Sequence, residues 1–246
     1  MNSFLILAYA AVCIFFAAIV RGYSGFGFSL LAITSISLVL PPVQIVPSIF
    51  LMEVAASVHL LPQAWHDIHW RALLWLVLGC CVGTPVGVYA LAHAPAAPMT
   101  LALAIFVLAA ALLLAKGFQT QRVPGPVSTF ATGAASGLFN GGFGMGGPPV
   151  VLFFFSSPTG AVAGRASLIA YFLITDMMGL AWQGWDGLLT VASAWHALLF
   201  LPPLIAGVWL GNRGFKQADP AAVRQWILRI LMLLAVLAGI RAVMST

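Results

Sequence analysis

Two short stretches hold most of what could do chemistry in this chain of 246 residues. The first reads Arg21-Gly22-Tyr23-Ser24-Gly25-Phe26-Gly27-Phe28-Ser29. The second runs from Gly137 to Pro149 as Gly-Leu-Phe-Asn-Gly-Gly-Phe-Gly-Met-Gly-Gly-Pro-Pro. Glycine costs a helix roughly 1 kcal/mol per residue relative to alanine, so both stretches are expected to bend and bare their backbone. The first amides of a helix have no intrahelical acceptor and carry about half a positive charge, which suits a small oxyanion. The backbone candidates for substrate binding are Gly22, Gly25 and Gly27, then Gly141, Gly142, Gly144, Gly146, Gly147 and Pro148. Arg21 adds a guanidinium able to grip a sulfonate or carboxylate bidentately. Tyr23, Ser24, Ser29 and Asn140 add neutral hydrogen bonds. The blander alternatives are close helix packing for the glycines and an interfacial anchor for Arg21.

A second group of residues is ionisable and lies among apolar ones. Glu53, Asp176, Arg165 and His59 fall inside hydrophobic runs, where charge is costly and marks ion or proton paths. They are the candidates for coupling an anion to H+ or Na+; a static hydrogen bond or ion pair is the competing role. Arg165 and Asp176 would stand about 16 Å apart along one helix, so any pair between them must form across helices. His66, Asp67 and His69 sit in a tryptophan-rich loop and read as a solvated turn, not a metal site. Neither a metal nor another cofactor is expected. Cys13, Cys80 and Cys81 lack CxxC spacing and read as small buried hydrophobes.

The elements that must position these residues are membrane helices. The chain is 62% hydrophobic and 6% charged, whereas soluble domains carry about 25% charged residues. Apolar runs at 43–62, 72–92, 98–115, 166–183, 188–211 and 223–244 approach the roughly 20 residues a bilayer core requires. The run at 3–20 has no basic flank before it and reads as retained, not as a cleaved leader. Trp65, Trp70, Trp182 and Trp185 flank two of the connecting loops as interfacial anchors. The net charge of +5 comes from loop Lys and Arg, which orient the chain and do not imply nucleic acid.

The chain also repeats itself. Gly25-Phe26-Gly27 and Pro41 recur as Gly142-Phe143-Gly144 and Pro158; Asp67 recurs as Asp186, Gly83 and Gly87 as Gly207 and Gly211, and Pro95 as Pro220. Weak internal symmetry of this kind is typical of secondary transporters. The fold expected is an all-α polytopic integral membrane protein, one transmembrane domain over 1–246. Its two homologous repeats, about 1–120 and 121–246, each hold a glycine-tipped re-entrant or broken helix plus three transmembrane helices. Arms of 10–13 residues would reach about half a bilayer. Loop charge chooses between crossing and re-entry. Re-entrant hairpins put Arg71, Lys116, Arg122, Arg165, Arg213, Lys216 and Arg224 on one face and Arg241 opposite, whereas crossing segments split these charges evenly. Hairpins make the repeats inverted, with both termini outside and the two tips meeting near the midplane.

The paired glycine blocks, the Gly83/Gly87 and Gly207/Gly211 pairs, and the acidic positions Asp67 and Asp186 resemble the sulfite exporter TauE/SafE family of membrane permeases. The resemblance covers nearly the whole chain. It implies a multi-pass carrier of the bacterial inner (plasma) membrane for sulfite, an organosulfur acid or a small carboxylate. Its partners would be that anion, the lipid bilayer, H+ or Na+ as coupling ion, and a second copy if the protein is a homodimer. A passive anion channel is the alternative, disfavoured by the apolar runs after each tip. A membrane-embedded enzyme is disfavoured by the scattering of the ionisable residues. The chain has no Gly-x4-Gly-Lys-Ser/Thr loop for direct ATP use.

Overall fold

The computed structural model describes residues 3–36, 39–40, 42–93, 124–143, 146–158, 160–185, 187, 189–217 and 219, with positions 225, 226, 229 and 233 of the last apolar run. The described elements are helical: α1 (Ser3–Ser24), α2 (Phe28–Ile36), α3 (Pro42–Ala64), α4 (Trp70–His93), α5 (Pro126–Phe143), α6 (Gly147–Ser156), α7 (Gly160–Trp185), α8 (Val191–Leu199) and α9 (Leu201–Gln217). A 3-10 turn at Trp65–Asp67 joins α3 to α4. In a bilayer every backbone N–H and C=O must be satisfied within the protein, and helices do that segment by segment.

Four described helices are long and apolar enough to cross: α1, α3, α4 and α7. The α8–α9 pair, bent by 48°, makes a fifth if it is one span. The expected runs at 43–62, 72–92 and 166–183 therefore appear as helix, and that at 188–211 as the bent pair α8–α9. The run at 98–115 lies outside the described residues, as do most of 223–244, Lys116, Arg122, Arg224 and Arg241. Pro41, Pro95, Pro220 and Asp186 lie outside them too. Trp65, Trp70, Trp182 and Trp185 are exposed at helix ends, as interfacial anchors would be.

The chain forms two compact units. The first comprises Met1–Trp65 and Phe172–Ala218; the second comprises His66–Tyr171 and Asp219–Thr246. Each unit thus draws helices from both halves of the chain.

In the first unit, α1 packs closely on α9 through glycines. A Cβ at Gly207 would stand 2.5 Å from the Phe15 carbonyl oxygen, one at Gly211 2.1 Å from that of Ile19, and one at Gly22 2.2 Å from that of Val208. In the second unit α4 packs on α5 in the same manner. Cβ atoms at Gly79 and Gly83 would meet the carbonyls of Phe130 and Ala134 at 2.1 and 2.0 Å. Those at Gly133 and Gly137 would meet Leu76 and Cys80 at 2.1 and 2.5 Å. Small residues every fourth position let two backbones touch, and van der Waals contact, not hydrophobicity, drives such association in lipid.

Both glycine segments double back. In the first unit the Tyr9 hydroxyl donates to the Ser35 carbonyl at 3.0 Å, so α2 returns along α1. In the second unit Gly146 lies against Ser136 and Asn140, so the chain after the bend has returned to α5. The arms differ from those expected, however. α5 has 18 residues, about 27 Å at 1.5 Å per residue, where about half a bilayer was expected, and α1, with 22, runs past the end of the expected apolar run at residue 20. Arg21, Gly22, Tyr23 and Ser24 lie in α1, and Asn140, Gly141 and Gly142 lie in α5. The physical reason is packing: on α5, Gly133 and Gly137 seat the α4 backbone, which offsets their poor helix propensity.

Candidate functional site

The first tip is three residues long. Gly25 and Gly27 have φ of +81° and +89°, a left-handed backbone open to glycine and costly to other residues. The Gly25 N–H donates to the Arg21 carbonyl at 2.8 Å and closes α1. The Ser24 hydroxyl donates to the Val20 carbonyl at 2.7 Å, and its oxygen accepts the Phe26 N–H at 3.3 Å. Gly27 begins α2, its carbonyl accepting the Leu31 N–H at 3.2 Å.

Arg21 is the centre of this tip and is 0% exposed. Its Nη1 donates to the Gly25 carbonyl at 2.5 Å. Its Nη2 donates to Ser57 Oγ at 2.6 Å. Its Nε stands 3.1 Å from Glu53 Oε2; the N–H is not aimed along that line, so this contact is ionic and not a directed hydrogen bond. The guanidinium also lies over the Phe172 ring, 4.9 Å from its centroid, where a desolvated cation–π contact contributes about 2 kcal/mol. Glu53 and Ser57 are four residues apart on α3, one helical turn, so one face of α3 meets the guanidinium twice.

Glu53 does a second thing. Its Oε1 accepts the Ser29 N–H at 3.0 Å. Ser29 is in the first turn of α2, where the helix bares its unpaired amides. The two oxygens of one carboxylate thus take a guanidinium on one side and a helix N-terminus on the other. This is the chemistry expected for the cargo, performed here by a residue of the chain.

Asp176 is buried on α7 in the same unit and interacts electrostatically with Glu53 and Arg21. Its Oδ2 has no hydrogen-bond partner among the described residues. One guanidinium therefore stands against two buried carboxylates. An uncompensated buried charge costs several kcal/mol, so the second negative charge calls for a proton or a cation.

The second tip is built differently. Gly146 has φ of −70° and opens α6, with Gly147, Pro148 and Pro149 as its first turn. Proline has no N–H, so two of those first-turn amides are missing as donors. The Ser136 hydroxyl donates to the Gly146 carbonyl. The Tyr171 hydroxyl donates to Ser136 Oγ at 2.7 Å. A Cβ at Gly146 would lie 2.8 Å from the Ser136 carbonyl oxygen and 2.9 Å from Asn140 Cβ. Gly144 lies outside the described residues.

The remaining candidates are placed as follows. Arg21, Ser24, Gly25, Gly27, Ser29 and Glu53 come together at the first tip. Gly22 packs on α9. The Tyr23 ring meets Phe215 edge-on, with centroids 6.2 Å apart. Arg165 is buried on α7 within the second unit, and His59 is exposed on α3. His66 and Asp67 are exposed in the 3-10 turn, while His69 Nδ1 accepts the Ala72 N–H at 3.3 Å. Sequence reasoning did not pair Arg21 with Glu53, nor single out Ser57, Phe172, Ser136 or Tyr171. One signal was available for the pair: two lone intramembrane charges of opposite sign each need a partner.

Comparison with known proteins follows the same direction. The family model described as sulfite exporter TauE/SafE matches residues 10–239. A protein of Cupriavidus necator named "Probable sulfite/organosulfonate exporter TauE" is 29% identical over 216 residues, covering 85% of this chain and 83% of that one. No solved structure matches.

Proposed function

Since the chain belongs to the sulfite exporter TauE/SafE family, we propose that it is a secondary transporter of sulfite, an organosulfonate or a small carboxylate. It is a multi-pass membrane protein, and the family's members carry small anions across the membrane. The observation that carries the substrate class is the grip on Glu53: at the first tip, a buried guanidinium and a helix N-terminus already share one two-oxygen anion. A sulfonate or sulfite presents oxygens to those donors in a like manner.

In this reading Arg21 supplies the charge, and Ser29 N–H with the N-terminal dipole of α2 supplies the oriented dipoles, while the left-handed Gly25 and Gly27 let the chain turn close to the anion. Ser57 and the Gly25 carbonyl hold the guanidinium in place. The second glycine segment, from Asn140 to Pro148, supplies the counterpart in the other repeat. The inverted repeat and a shared midplane site are supported by the sequence duplication and the loop charges. Coupling to H+ or Na+ is supported by the two buried carboxylates, Glu53 and Asp176, that face the one guanidinium of Arg21 in the first unit.

Proteoliposomes loaded with sulfite or isethionate test this. Counterflow of labelled anion, without steady conductance and without chemical turnover, is the expected result. Steady conductance would favour a passive anion channel, and conversion of the anion an enzyme. Gly144→Val is expected to abolish flux while leaving insertion intact. Wild-type flux in that variant would remove the second segment from the site.

A further inference from the structure

We infer that Glu53 is a resident competitor of the cargo: its carboxylate fills the anion site of the first tip, and it yields that site only by taking up a proton. The inference rests on the proposed function and adds the coupling ion, its stoichiometry and the residue that carries it.

The geometry makes the two anions mutually exclusive. Oε2 of Glu53 stands 3.1 Å from Arg21 Nε, and Oε1 takes the Ser29 N–H at 3.0 Å. The other arms of the guanidinium are engaged by the Gly25 carbonyl and Ser57 Oγ. An incoming sulfonate that uses Arg21 Nε and the Ser29 amide must therefore displace the carboxylate from both. Displaced as an anion, Glu53 would stay buried beside Asp176, at 3% and 6% exposure, with its cation given to the cargo. Charge left unpaired in such a place is strongly unfavourable. Displaced as the neutral acid, it needs no counter-charge.

The balance is one proton for one monoanion. Before binding, Arg21 is matched by the Glu53 carboxylate; afterwards it is matched by the sulfonate, and the proton taken from solution sits on a Glu53 oxygen. No bond other than O–H is made, and the cluster's net charge does not change. Around Glu53, α1 brings Arg21, α7 brings Asp176, and α2 brings no titratable side chain. On α8, His196 is exposed; on α9, Arg213 stacks over Trp209 with 5.3 Å to the ring centroid, and Lys216 is exposed. On α3 itself, His59 is exposed. Asp176 lies in the field of the same pair, but Glu53 is the carboxylate that touches both Arg21 and the Ser29 amide, so its proton is the one tied to the occupancy of Arg21.

The test uses the purified full chain and isethionate, a sulfonate whose own charge is fixed between pH 5 and 8. In weak buffer with a pH dye, adding isethionate is expected to withdraw one proton per anion bound. Its affinity should rise about tenfold for each unit of falling pH while Glu53 is ionised. Glu53→Gln, which mimics the protonated acid, is expected to bind isethionate with no pH dependence and no proton uptake. Isethionate bound by the wild type without proton uptake, or with Na+ in its place, overturns the inference and leaves the proposed function standing. So does a Glu53→Gln protein that keeps the wild-type pH dependence. Failure of the wild type to bind either isethionate or sulfite overturns both.

Discussion

The two glycine hairpins are similar in sequence yet are held by different forces. At the first, a buried ion pair does the work: Arg21 ties Gly25, Ser57 and Glu53 together, and Glu53 caps α2. At the second, neutral groups do it, through a relay from Tyr171 to Ser136 to the Gly146 carbonyl. The first opens its return helix with amide donors, whereas the second opens it with Pro148 and Pro149, which have none. Buried charge of both signs therefore sits at the first hairpin, whereas the second is tied by neutral groups. Two hairpins of similar sequence need not be held alike; here one is held by charge and the other by neutral hydrogen bonds.

The contrast can be broken at several points. The largest effect is expected from Arg21→Ala, which strands Glu53 without its cation and should cost about 3–5 kcal/mol. Thermal unfolding in detergent should show a large drop in Tm, and transport should vanish. Adding Glu53→Gln should restore most of the Tm but not the transport; if the double variant is no more stable than Arg21→Ala, the charge is not what holds the first hairpin.

Ser136→Ala comes next. It removes the hydroxyl that donates to the Gly146 carbonyl and accepts from Tyr171, for about 1–3 kcal/mol. A Tm loss equal to that of Arg21→Ala would erase the difference between hairpins. Gly25→Ala forces a side chain into φ of +81°, at a strain of about 1–2 kcal/mol. Here anion affinity should fall along with Tm, because the Arg21 grip on the Gly25 carbonyl is lost. The smallest effect is expected from Tyr171→Phe, about 1 kcal/mol for one hydroxyl, with anion affinity unchanged. A fall in affinity there would bring the second hairpin's hydroxyls into the site.

Much of the fold could be read directly from residue order. Runs of apolar residues near bilayer length became α3, α4 and α7, and the prolines at 148 and 149 fell in the first turn of α6, where a missing N–H costs least. Gly25 and Gly27 were rightly placed at a bend, since few other residues adopt a positive φ. The glycines of the second stretch were harder. Gly137, Gly141 and Gly142 read as part of a bend but remain within α5, because Gly133 and Gly137 have a neighbouring backbone to seat. Density of glycine reports a need for bare backbone; it does not say whether a loop or a packed helix uses it. Gly22 makes the same point, as a candidate ligand contact that packs on Val208.

Residue order by itself determined that this chain lives in a bilayer and that two glycine-rich stretches turn it. Those properties follow from local composition, periodicity and the intolerance of lipid for unpaired backbone. Tertiary structure alone decided that Arg21 and Glu53, 32 positions apart, would meet, and that Glu53 would take a helix terminus expected from the sequence to bind an anion from outside the chain. It also decided that the compact units would each mix helices from both halves. The reason is range: a buried charge obliges a partner to exist, but only the packing of α1, α2 and α3 says which partner arrives.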